Sequence, residues 1–359
     1  MSKVAENAKI FAYYVILPSE LRLMVVDEMD SADRCRFTRC SRLSRKEAKL
    51  SKNYIYSLEL QASYDFYAEI RIGHNKSDTF PDFNYKLVFE NFGKKCLKCV
   101  DSNKKLLWVE ELDDSIDWYQ YFAEYFKKLL KEYQTKIKSL NFYGSLFNTL
   151  LKNYDFGIEN LKNLEDLGIY GEMDVPLYLS KTRRPLKKLS IDESVNLFHP
   201  NRENMSSVDY EQIYQVQNCL IMRDTKFTYE QMLRLSALEA YIRIGNLTEQ
   251  QIFNFIRLWQ NGTIGDRTIF WLGDPIFEIE QLFQLLEERV HGNPIRRKYS
   301  LEIKNNKEYE KRARLLYFQS EKRLIFRPDK ETIHSWSTQN IEELDKNYSY
   351  FLRTVSNEH

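Results

Sequence analysis

The sequence predicts an α/β fold: a small N-terminal helical module followed by an irregular leucine-rich-repeat-like α/β solenoid. Three observations carry this expectation. First, the pattern L-x-x-L-x-I or a near variant recurs as "IKSLNF" (137–142), "LEDLGI" (164–169), "LKKLSI" (186–191) and "QNCLIM" (217–222). Central leucines fall 27, 22 and 31 residues apart, from Leu140 to Leu167, Leu189 and Leu220, which scatters around a leucine-rich period. Second, helical segments alternate with these strand cores, as expected where short parallel strands stack and return segments cover one side. Third, the stretch from Ile16 to Ala48 repeats apolar residues in steps of three and four and is dense in arginine.

Residues 1–15 read as a lead-in. Their apolar run lacks a basic n-region and a small-residue cleavage site. The helical module spans 16–52. Pro18 stands where a helix begins, with Ser19 and Glu20 in its first turn, and Leu21, Met24 and Val25 share a face. "MDSADR" supplies a turn, with Ser31 as a cap and Asp33 favoured at a helix start. Residues 53–135 form a spacer. "YKLVFEN", "KCLKCVD" and "KLLWVEE" alternate with polar turns, which predicts an antiparallel meander. The amphipathic helix of 117–135 follows, with Trp118, Phe122, Phe126, Leu129 and Leu130 on one stripe.

The repeat region spans 136–330. "LEAYIRI" (238–244) and "DRTIFWL" (266–272) are expected to continue its strands. Thr228 with Gln231, and Thr248 with Gln251, have the spacing of capping boxes. Asn261-Gly262 closes the second of these helices. Asp274 is expected to cap a third, with Pro275 in its first turn and Gly292 beyond its end. "ARLLYFQSEKRLIFRP" predicts a closing hairpin, and 331–359 a polar tail.

Lys and Arg number 53 against 52 Asp and Glu, so no global charge draws the chain to nucleic acid or to an anionic membrane. The local cluster Arg296, Arg297 and Lys298 reads as a solvated loop. Five cysteines at irregular spacing suit a reducing compartment, cytoplasm or nucleus. Cys96-x-x-Cys99 lacks a second ligand pair and lies in a strand-like run, which would turn the two thiols to opposite faces. Asp113, Asp114 and Asp117 read as an acidic loop whose last member caps a helix. No nucleophile elbow, phosphate loop, dinucleotide fingerprint or H-E-x-x-H motif is present, so neither catalysis nor a cofactor is expected.

Leu17-Pro18, then Leu21, the apolar Met24, Val25 and Val26, Met29 with Asp33-Arg34, and "CRFTRCSRLSR" resemble an F-box. Met29 stands where the family has leucine. "LTEQQIFNFIRLWQNG" is similar to the F-box-associated regions of the large nematode F-box families, which carry a helix ending in Trp-x-x-Gly. The resemblance implies docking on a Skp-family linker through Leu17, Pro18, Leu21, Val25, Met29, Asp33 and Arg34. Through that linker it implies a cullin and a RING subunit. It makes the chain the substrate-recruiting adaptor of an SCF-type ubiquitin ligase rather than an enzyme. The protein substrate is expected at Tyr143, Tyr170, Asp192, Arg223 and Arg243, in or just after the strand cores. The alternative is an interaction scaffold in which residues 16–52 only cap the solenoid.

Overall fold

A computed structural model of the chain describes Tyr14, residues 16–29, Phe37 and most of 40–328. Outside the described residues lie 1–13, 30–36, 51–56, 74–84, 193–209, 273–277, 306–310 and 329–359, with a few shorter stretches. The chain forms two compact units, 1–245 and 246–359.

Among the described residues, the first unit opens with the helices α1 (Ser19–Glu28) and α2 (Arg42–Leu50). Pro18 precedes α1 with φ −52°, a value its ring imposes. Ser41 caps α2: its Oγ accepts from the Ser44 N–H at 3.0 Å, and its own N–H donates to Ser44 Oγ at 2.8 Å. An antiparallel run follows, β1 (Ser57–Ser63), β2 (Tyr67–Gly73), β3 (Tyr85–Phe92), β4 (Lys94–Asp101) and β5 (Leu106–Glu111). Asp117 then caps α3 (Trp118–Tyr133), accepting from the Gln120 N–H at 3.1 Å. Trp118, Phe122, Phe126, Leu129 and Leu130 are all buried. Each such side chain contributes about 1.5–3 kcal/mol, so the stripe, rather than helix propensity, holds α3 in place.

Parallel strands complete the unit. They are β6 (Ser139–Tyr143), β7 (Asp166–Tyr170), β8 (Lys188–Asp192), β9 (Cys219–Phe227) and β10 (Glu239–Ile244). The helices between them are α4 (Leu146–Asn153), α5 (Val175–Ser180), α6 (Glu211–Tyr214) and α7 (Tyr229–Arg234). The strand order is β10-β9-β8-β7-β6-β1-β2-β3-β4-β5. β1 is the join, parallel to β6 and antiparallel to β2.

One face of this sheet is apolar. Leu58, Leu60, Ile70, Phe89, Leu140, Phe142, Ile169 and Ile191 are buried there. Helices cover it: Phe89 meets Phe122 of α3 edge to face at 4.9 Å, and Phe142 meets Phe147 of α4 and Tyr178 of α5. Cys99 lies on this covered side. Cys96 lies on the other, with its Sγ 3.7 Å from Glu90 Oε2, so the two thiols do not converge. Burial, together with the Glu90 charge, pushes the Cys96 thiol up, against the opposing pull of Lys98.

Gly144 follows β6 at φ +103°. A Cβ there would stand 2.4 Å from the Ala62 carbonyl oxygen. Gly144→Ala combines the left-handed penalty with a backbone collision and is expected to cost about 2–4 kcal/mol. A urea unfolding midpoint measures it, and an unchanged midpoint contradicts the close approach.

The second unit contains α8 (Glu249–Gln260), β11 (Thr268–Leu272), α9 (Ile279–Arg289), β12 (Ile295–Arg297), β13 (Ser300–Lys304), β14 (Arg312–Phe318) and β15 (Arg323–Pro328). Its strand order is β12-β13-β14-β15-β11, antiparallel throughout. Both capping boxes form, Thr228 with Gln231 before α7 and Thr248 with Gln251 before α8. Asn261 ends α8, followed by Gly262 at φ +64°. Trp259 is buried against Phe326, and its indole N–H donates to Asp266 Oδ1 at 2.9 Å. The third helix starts at Ile279 with Glu278 as N-cap; the expected cap Asp274 and Pro275 lie outside the described residues. Arg296 lies in β12 rather than a loop, paired with Glu280 and, at 3.6 Å, with Glu287.

This architecture overturns the expected helical module plus leucine-rich-repeat-like solenoid. The first unit is a mixed sheet in which an antiparallel run passes into parallel strands at β1, and the second unit carries an antiparallel sheet. β11, expected as the next repeat strand, runs antiparallel to β15. The physical reason lies in the signal. Alternating leucines specify which side of a strand is buried, and that pattern is the same in parallel and antiparallel pairing.

Candidate docking surface and the polar sheet face

The N-terminal helices carry their own small core. Tyr14, Val26, Phe37 and Ala48 are buried together, with Leu17 and Met29 packed partly against them. Tyr14 and Phe37 meet edge to face at 5.2 Å. Glu47 of α2, itself buried, ties the segment: it accepts from Tyr14 Oη at 2.5 Å and pairs with Arg22 Nε of α1 at 2.5 Å. Arg22 Nη1 in turn donates to the Leu17 carbonyl at 2.7 Å, which fixes the chain just before Pro18. Burial first, and then the Glu47 carboxylate, push the Tyr14 phenol well above its ordinary range.

What this core leaves outside is apolar. Leu21 is 45% exposed, Met24 63% and Val25 40%; Ile16, Pro18 and Leu43 are exposed as well. A helix in water ordinarily turns such residues inward, and here Val26 alone of the Met24-Val25-Val26 run is buried. Such exposure makes this helix face a candidate for contact with a partner. A capping role would require Pro18 and Leu21 to be buried. Leu17 and Met29, expected in the same contact, instead serve the small core. Asp33 and Arg34 lie outside the described residues.

The sheet face opposite α3, α4 and α5 is polar. Tyr143, Tyr170 and Asp192 stand side by side on β6, β7 and β8. The two tyrosine rings stack at 4.5 Å between centroids and 7° between planes. Burial, and then Tyr170, push the Tyr143 phenol far up. Arg243 is exposed on β10; Arg223 falls within β9, with its side chain outside the described residues. The structure thus brings together three of the five residues expected to bind substrate.

Beside the tyrosines lies a charged network that the sequence-based expectation omitted. Glu69 accepts from Tyr67 Oη, from Arg71 Nε and, at 2.8 Å, from Lys86 Nζ. Arg71 also donates to Gln61 Oε1 at 2.8 Å and stands 3.8 Å from Glu59. Its signal was present in "SLELQAS" and "YAEIRIG", where every second residue is polar. Period-two alternation puts Glu59, Gln61, Glu69 and Arg71 on one face.

Burial pushes the Glu59 carboxyl from 4.5 up to about 7, with Arg71 opposing and Glu69 adding. The folded state therefore holds this proton at a pH where the unfolded chain has released it. The associated stability is complete below pH 4.5 and is lost as pH rises through about 7. Glu59→Gln is expected to gain melting temperature relative to wild type as pH climbs through that window. A wild-type-to-variant difference that does not change with pH contradicts the shift.

No helix among the described residues is long and apolar enough to cross a membrane. No protein-family model matches the chain, and no solved structure matches it. The chain is similar to an uncharacterized F-box protein of Caenorhabditis elegans, 21% identical over 272 residues that cover 70% of this chain and 67% of that protein. This distant likeness suggests F-box kinship.

Proposed function

We propose that the chain is a non-catalytic, substrate-recruiting adaptor of an SCF-type ubiquitin ligase, acting in the cytoplasm or nucleus. The carrying observation is the exposed apolar rim of Pro18, Leu21, Met24 and Val25 on a small helical core stabilised from within. The rim docks on a Skp-family linker, and the linker brings the cullin and RING subunits. The polar sheet face around Tyr143, Tyr170 and Asp192, with Arg243, holds a protein substrate. The acceleration comes from raised effective concentration of substrate near the charged conjugating enzyme, and it asks no chemistry of this chain's side chains. The distant F-box relative supports this assignment. The exposure of Pro18 and Leu21 favours docking over a cap role.

The test is a pull-down of the full chain with purified Skp-family linker that is competent toward a second F-box. Retention of the chain, lost in a folded Pro18→Ala, Leu21→Ala variant, is the expected result. A wild-type chain that fails to bind competent linker defeats the adaptor assignment.

A further inference from the structure

Glu59 sits in the floor of the polar face. Leu58 and Leu60 on either side of it are core residues, so strand alternation turns Glu59 to the opposite face, beside Asn141 in the β1–β6 register. Only 6% of the residue is exposed, yet its carboxyl accepts no hydrogen bond among the described residues. Arg71 Nη1 comes no closer than 3.8 Å, and Arg71 gives its Nε to Glu69 and its Nη2 to Gln61. Asn141 Oδ1 is a second acceptor of this kind. The Asn141 amide donates to Ser139 Oγ at 3.5 Å, while Oδ1 lies over Gly168, in the space a Cβ there would need, and accepts nothing among the described residues. Tyr143, the next residue along β6 on this face, stacks with Tyr170 and walls the place with aromatic rings.

A buried acceptor without a donor is costly, and its retention calls for a reason. Both groups lack donors, and one of them is a carboxyl, so the fitting ligand is a donor-rich cation. A guanidinium suits the place better than an ammonium: it is planar, carries five N–H groups in a fixed fork, is weakly hydrated and stacks on aromatic rings. We propose that Glu59 and Asn141 form a subsite for an arginine side chain of the bound protein. The proposal rests on the reading that this face holds a protein, and not on the docking role of the N-terminal helices.

The charges around the carboxyl agree. Glu69 and Arg71 of β2 face it, with Lys86 of β3 on Glu69; Tyr143 of β6 and Tyr170 of β7 stand on its other side, and Asp192 of β8 lies beyond them. Burial outweighs the pull of Arg71, so the carboxyl keeps its proton up to about 7. An arriving guanidinium supplies the missing positive charge. The carboxyl then gives its proton to solvent and accepts the guanidinium N–H groups as a carboxylate, with no other bond changed. Affinity for arginine is therefore low while Glu59 is protonated and rises as pH climbs through about 7.

Saturation-transfer NMR on the full chain tests the subsite with three capped tripeptides, acetyl-Gly-Arg-Gly-amide and its lysine and citrulline counterparts, at up to about 10 mM to suit a single side-chain contact. The arginine peptide is expected to bind at pH 8, the lysine peptide more weakly and the uncharged citrulline peptide not at all. Arginine affinity is expected to fall about tenfold at pH 6. Glu59→Gln mimics the protonated carboxyl, so it should keep the wild-type circular dichroism. It is expected to bind about tenfold more weakly than wild type at pH 8 and to lose the pH dependence. Asn141→Ala, which removes the second acceptor, is expected to weaken binding about threefold or more. A wild-type chain that binds none of the peptides overturns the proposal. So does citrulline or lysine binding as tightly as arginine, or a folded Glu59→Gln that binds like wild type. The mixtures contain no linker, so a negative result here leaves the linker pull-down unaffected, and a failed pull-down leaves this result standing.

Discussion

With Leu21 and Val25 both replaced by aspartate, affinity for a purified Skp-family linker is expected to fall about a hundredfold, the effect of losing two central apolar contacts of more than 1 kcal/mol each. The expectation is sharp because neither side chain belongs to the core. Both face outward while Val26, next along the helix, is buried. Aspartate at an exposed helical position perturbs folding by a few tenths of a kcal/mol, so the melting temperature should stay close to wild type. Titration calorimetry on the linker, paired with a thermal melt, separates the two quantities. An unchanged dissociation constant would mean that the apolar rim is not what the linker grips.

Glu47→Ala is expected to release the N-terminal helices by a different route. Glu47 is the shared acceptor for Tyr14 on the approach to α1 and for Arg22 within it. Its removal takes from the largely buried Arg22 guanidinium and from the Tyr14 hydroxyl the carboxylate they share. Breaking one partner of such a pair costs about 3–5 kcal/mol. The described core of this segment is only Tyr14, Val26, Phe37 and Ala48 with two flanking side chains, too few to absorb that loss. Limited proteolysis should therefore cut within 14–48 while the strands stay intact. Glu47→Gln, which keeps an acceptor but removes the charge, should fall between wild type and Ala. A resistant Glu47→Ala chain would show that the helices are held by something other than this junction.

Local signals were legible in the sequence wherever one residue satisfies one backbone group or one face. Thr228 and Thr248 cap their helices with the glutamines three residues on. The aromatic stripe of α3 is the buried stripe. Asp117 caps that helix. The strand cores at Leu140, Leu167, Leu189 and Leu220 place those leucines in the core. Topology was not legible, because the same alternation serves either pairing direction, and so a mixed sheet stands where a solenoid was expected.

The site divides in the same way. The register that brings Tyr143, Tyr170 and Asp192 into one row followed from motifs of equal length. Placing the Glu69 network beside Tyr143 needed knowledge that β1 pairs with β6, a contact between segments some eighty residues apart that composition does not encode. At the N-terminus, helical spacing put Leu21, Met24 and Val25 on one face. Only the packing of Tyr14 and Phe37 on Val26 showed that this face points outward.

The most direct measurement is amide hydrogen exchange on the full chain with and without saturating Skp-family linker. If the apolar rim is the docking surface, added protection is expected in peptides covering 16–29 and 41–48, with the strands of β6 to β8 unchanged. Protection confined to the sheet, or no change within 16–29 despite demonstrated binding, would contradict a docking role for the N-terminal helices.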